Sequence, residues 1–220
     1  MTLARFCLAA LILTEPAIAA PTADMNQAFQ VAFGHAAPYA MTAGDAKTSV
    51  RFLYTPSGLV PVAPGLVALI SKGKASCTGC SGTLAVHYLK HDGHGYALAK
   101  VRPAIVPAAS WTVRADLDRV PVLLAAHDEG GQDCHETYSQ LIALMPDRPV
   151  VQANLLMAVD YDPGPEPDRS PGYAAKAKLL PEARGERFAL QYAGTWKLRV
   201  DYARKGDVYV AQQREAPACQ

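Results

Sequence analysis

The sequence predicts a mainly β fold of antiparallel hairpins and a meander, arranged as sandwich- or propeller-like repeated sheet units with a short N-terminal helix. Three observations carry that prediction. Residues 187–212 alternate apolar and polar side chains with a period of two; an Asp92-Gly93 dipeptide separates two runs of β-forming residues; and an apolar run followed by a cysteine recurs at an offset of about 54 residues.

Taken in order, the chain opens with Met1-Thr-Leu-Ala-Arg5, an apolar run from Phe6 to Leu13, and then Ala17-Ile18-Ala19-Ala20. A basic start, a short apolar stretch and an A-x-A site are the marks of a secretory signal peptide, here residues 1–19. The apolar stretch is far shorter than the ~20 residues that span a bilayer, so no membrane span is expected. A periplasmic or secreted chain follows. Asn26 to Phe33 then suits a short helix, ended by Gly34 and Pro38.

From Val50 the pattern turns strand-like. Val67 to Ile70 follows the punctuation of Pro61, Pro64 and Gly65, and Thr83 to Lys90 is rich in β formers. Asp92-Gly93 before Tyr96 to Val101 is a strong short-range hairpin signal. Tyr138 to Asp160 suits a helix or a buried strand, because short apolar runs do not separate the two. Strand is favoured by the repeat: Leu66 to Ile70 leads to Cys80 as Val120 to Leu124 leads to Cys134, with the same ten-position gap. This gives a main β domain over residues 20–160 with an internal repeat (66–119 and 120–172). An acidic proline-rich loop at 161–172 and a C-terminal meander at 173–220, packed on the main domain, complete the chain. In the meander Trp196, Leu198, Val200 and Tyr202 are expected to face the core, and Lys197, Arg199 and Asp201 water.

Charge is unevenly spread. Residues 21–115 carry 8 Lys/Arg against 3 Asp/Glu, residues 116–172 carry 3 against 11, and residues 173–220 carry 9 against 5. An acidic middle between basic flanks lacks the single basic face that nucleic-acid binding requires.

Cysteines come next. Cys77, Cys80, Cys134 and Cys219 are an even set beyond the signal, which in an oxidising compartment points to disulfides. The repeat favours a long-range bridge from Cys80 or Cys77 to Cys134, with a local Cys77–Cys80 bridge as competitor. Cys77-Thr-Gly-Cys80 also has the spacing of a redox motif, but a β-patterned run follows where a thiolate-stabilising helix is needed. Metal is the other chemistry to weigh. A two-residue Asp92-Gly93 turn would set His91 and His94 opposite each other, about 5 Å apart at Cβ, with His87 about 13 Å down the strand. Two histidines without a third ligand make a poor site. Asp160, Asp162, Glu166 and Asp168 alternate like calcium-loop ligands, but Gly164 and Pro165 occupy the positions that should carry an oxygen ligand and a glycine.

Hydrolase signatures do not assemble. The chain has no G-x-S-x-G elbow, and His135-Glu136 begins an H-E-x-x-H whose second histidine position holds Ser139. The function expected is therefore that of an exported, disulfide-compatible β protein that binds a small molecule or a protein, or serves as a structural accessory, without a required cofactor. A metal-binding or thiol-redox protein using Cys77/Cys80 and His91/His94 is the alternative, and a hydrolase with a dispersed active site the second alternative.

Overall fold

The computed structural model describes residues 22–34, 40–43, 50–76, 80–131, 133–164, 171–213 and 219. The expected signal peptide lies outside these residues, as do Cys77, Glu166 and Asp168. Among the described residues one helix is followed by fourteen strands in two antiparallel sheets. Helix α1 (Thr22–Phe33) stops where Gly34 takes a φ of 81° and returns its N–H to the Gln30 carbonyl at 2.7 Å.

The first sheet holds β1 (Ala40–Ala43), β2 (Val50–Ala63), β3 (Leu66–Ala75), β4 (Thr83–His91) and β5 (Tyr96–Leu98) in chain order, with β6 (Ala104–Pro107) on the far half of β4. The second holds β7 (Ser110–Arg114), β8 (Val122–Gly130), β9 (Cys134–Leu144), β10 (Pro149–Tyr161), β11 (Tyr173–Ala183), β12 (Arg187–Gly194), β13 (Leu198–Lys205) and β14 (Val208–Ala211), again in chain order. The ambiguous stretch from Tyr138 to Asp160 is thus the β9–β10 hairpin.

Period-two patterning dictates the layers. On β3 and β4, Ala68, Ile70, Leu84, Val86 and Tyr88 face Leu123 and Ala125 of β8 and Ile142 and Leu144 of β9. Their alternates Leu69, Ala85 and Leu89 pack under Ala28 and Phe33 of the helix. β2 reads out of phase with this: Phe52 and Tyr54 point to the helix, but so does Leu59, while Val60 points to the other sheet. A bulge between Pro56 and Gly58 inserts the extra residue that flips the parity. Prolines inside β2 and β11 are tolerated at or beside such irregularities, Pro56 and Pro61 in one and Pro181 in the other.

The second sheet coils over its own second face. Val122, Leu141 and Leu155 meet Phe188, Leu190, Tyr192, Val200, Tyr202 and Tyr209 from the other end of the same sheet. Across this closure Arg204 Nη1 donates to Asp118 Oδ2 at 2.8 Å, Gln152 Nε2 donates to the same oxygen at 3.0 Å, and the Gly185 N–H donates to the Leu117 carbonyl at 2.8 Å. In the meander Val200 and Tyr202 are buried and Leu198 is half-buried, while Lys197 and Arg199 are exposed. Strand β13 starts only at Leu198, so Trp196 sits in the bend before it, against Tyr192 at 5.3 Å between ring centroids.

Candidate binding site

Strands β4 and β5 are paired His91 to Tyr96, Lys90 to Ala97 and Leu89 to Leu98. The connection is therefore the four residues Asp92–Gly95, which corrects the two-residue Asp92-Gly93 turn expected from sequence. The cause is the Asp92 carboxylate: its Oδ1 accepts the N–H groups of His94 at 2.9 Å and Gly95 at 3.0 Å, a side-chain turn that holds all four residues. Those two bonds hold the Asp92 carboxyl below the usual aspartate range. His91 consequently lies opposite Tyr96, with ring centroids 4.8 Å apart, and not opposite His94. The longer turn thus removes the expected cross-strand His91/His94 pairing.

Both histidines nevertheless border one surface hollow of about 570 Å³, together with Gly65, Lys90, Asp92 and Tyr96. Gly65, at a φ of 69° in the β2–β3 turn, accepts the His91 N–H at 2.9 Å and so ties the two turns together. His87 takes no part. It is buried on the helix face of β4, its ring edge-on to Phe33 at 4.5 Å, and its Nδ1 has no hydrogen-bond partner.

Burial lowers the His87 pKa to about 4. In the unfolded chain the imidazole titrates near 6.5, so acid protonates the unfolded state first. The associated stability is fully present above about pH 6.5 and is lost as pH falls to about 4, by about 3 kcal/mol in all. Urea midpoints measured across this range should fall steeply for the parent and be flatter for His87→Leu.

Cys134 is bonded to Cys219, with Cα atoms 6.2 Å apart and 85 positions between them in sequence. This corrects the expected bridge from Cys80 or Cys77 to Cys134. Cys80 is disulfide-bonded too, with a partner other than Cys134. The hairpins β3–β4 and β8–β9 stack face to face through Ile70, Val86, Leu123 and Ile142. Cys219 is instead captured at the start of β9, where its N–H donates to Glu136 Oε1 at 2.6 Å and Tyr138 donates to Glu136 Oε2 at 3.0 Å. Cys134, Glu136 and Cys219 bring three potential metal donors together, but both sulfurs are spent in the bridge.

His135 and Glu136 are strand neighbours on opposite faces, the first exposed and the second buried, so they form no helical metal motif. Asp160 and Asp162 border a smaller hollow of about 220 Å³ with Asp133 and His135. The Asp162 carboxylate accepts the Gly164 N–H at 3.1 Å. Sequence reasoning missed His127, a buried histidine whose Nε2 lies 3.0 Å from Glu129 Oε1 and whose ring stacks on Tyr138 at 5.8 Å. The alternation Leu123, Ala125, His127, Glu129 along β8 carried the signal that these share a face. Among the described residues no serine or threonine hydroxyl is hydrogen-bonded to a histidine.

No protein-family model, curated protein or solved structure matches this chain.

Proposed function

We propose that the chain is an exported binding protein that receives a small acidic ligand in the hollow between the β2–β3 turn and the β4–β5 hairpin. The observation that carries this reading is the grouping of Lys90, His91, His94 and Tyr96 around a hollow whose turn is fixed by Asp92. A lysine and two imidazoles offer donors to a carboxylate, and Tyr96 offers a flat apolar surface, the usual division of labour in a small-molecule site. The Cys134–Cys219 bridge supports an oxidising compartment.

Benzoate combines both features and serves as the probe. Titrated into ¹⁵N-labelled protein, it should shift the amides of residues 90–97 to saturation, and His91→Ala with Tyr96→Ala should abolish the response. An unperturbed 90–97 segment overturns the reading. Stoichiometric Zn²⁺ binding that moves His91 and His94 while benzoate moves nothing would put a metal-binding protein first.

A further inference from the structure

A third hollow, of about 370 Å³, lies at another edge of the sandwich, between the Lys100–Ala104 segment and the β9–β10 turn. Its construction is specific. The Val101 N–H returns to the Ala99 carbonyl at 2.8 Å, a three-residue turn with Lys100 at its apex. Val101 and Ala104 are packed against the inter-sheet core, which anchors the segment and leaves Lys100 and Arg102 outside it. Pro103 and Pro149 stiffen the two rims.

Charge in this hollow is unbalanced. Lys100, Arg102 and Arg148 face one carboxylate, Asp147. Arg148 is shared between Asp147 at 3.8 Å and Asp207 at 3.2 Å. Lys100 and Arg102 have no ion-pair partner among the described residues. On the core side lies Tyr88, packed with Val101 and Ala104 in the same cluster, its hydroxyl buried without a hydrogen-bond partner. Two unpaired cations held by a pinned backbone segment, with a third across a concave surface, form a pre-organised positive field. Guanidinium and ammonium groups so placed favour an oxyanion through charge-assisted hydrogen bonds.

We propose that Lys100, Arg102 and Arg148 form a site for a phosphate-class oxyanion, carried either on a small solute or on a lipid headgroup. The site is separate from the β4–β5 hollow and stands whether or not that hollow binds an acidic ligand.

Inorganic phosphate is the probe, titrated by calorimetry against chloride at matched ionic strength, which separates site binding from general screening. Saturable binding should appear with phosphate alone. Arg102→Gln and Lys100→Gln should each weaken it about tenfold, and the double variant should abolish it, while melting temperatures in chloride stay at the parent value because both side chains are exposed. Asp147→Asn should tighten binding severalfold, since it removes the carboxylate that lines the hollow. Vesicles containing phosphatidylglycerol separate the two carriers. Co-sedimentation that the Arg102→Gln/Lys100→Gln pair abolishes assigns the cradle to a headgroup, and phosphate binding without co-sedimentation assigns it to a solute. Absence of both, or binding that the double variant leaves unchanged, overturns the proposal.

Discussion

Cys219→Ser is expected to lower the unfolding free energy of the oxidised protein by about 4–5 kcal/mol. Its bond to Cys134 closes a loop spanning 85 positions, and chain-entropy reasoning assigns a loop of this length about 4.6 kcal/mol. Two local losses add to it. Freed of its tether, residue 219 no longer holds its N–H at 2.6 Å from Glu136 or its side chain against the cluster of Leu156, Val159 and Ala175. Urea unfolding of parent and variant, both kept oxidised so that the Cys80 bridge stays closed, measures the difference. A difference under about 1 kcal/mol would show that the tether contributes little.

Asp118→Ala should cost about 3–5 kcal/mol, the usual result of removing one partner from a buried ion pair. Asp118 is 3% exposed and gathers Arg204 and Gln152 on one carboxylate oxygen, while its backbone carbonyl accepts Arg184 Nε at 2.7 Å. The loss should come mainly from stranding Arg204 and Gln152, so Arg204→Met in the Asp118→Ala background should recover part of it. Additive costs from the two substitutions would show that the groups act independently. Chemical denaturation of the two single variants and the double variant closes the cycle.

How much was legible depended on the range of the interaction. Strand periodicity is local, so the 187–212 meander, the strands over Val67–Ile70 and Thr83–Lys90, and the helix ending at Gly34 could be read directly. The Asp92 turn failed because a side chain, and not the Asp-Gly dipeptide, set its length. Strand β11, inside the 173–220 meander, shows no period of its own because Ala174, Ala175, Ala177 and Pro181 dilute its apolar alternation, and its pairing with β12 supplies what propensity does not. At the candidate site, His91 and His94 were legible as residue types but their geometry was not. Cys134–Cys219 could not be chosen from spacing, because the pairing follows from which hairpins stack and which edge the chain returns to. Asp118, two residues beyond Asp116 in an acidic stretch, carries no local mark of burial; only the coiling of the sheet brings Arg204 to it.

The strand order has a consequence for assembly in time. Nearly every strand pairs with its immediate predecessor, the exceptions being β6, which pairs with β4, and β7, which opens the second sheet. Each hairpin can therefore close as soon as its second strand is available, without waiting for distant chain, and such local pairing favours rapid formation. A chain delivered from its N-terminus could zip the first sheet from β2 through β6 before β8 and β9 arrive to cover its open face. The Cys134–Cys219 bond alone must wait until residue 219 has emerged. It acts as a latch set after the strands are laid down, so the oxidant need act only on a nearly finished fold, with Glu136 already in position to receive the Cys219 amide.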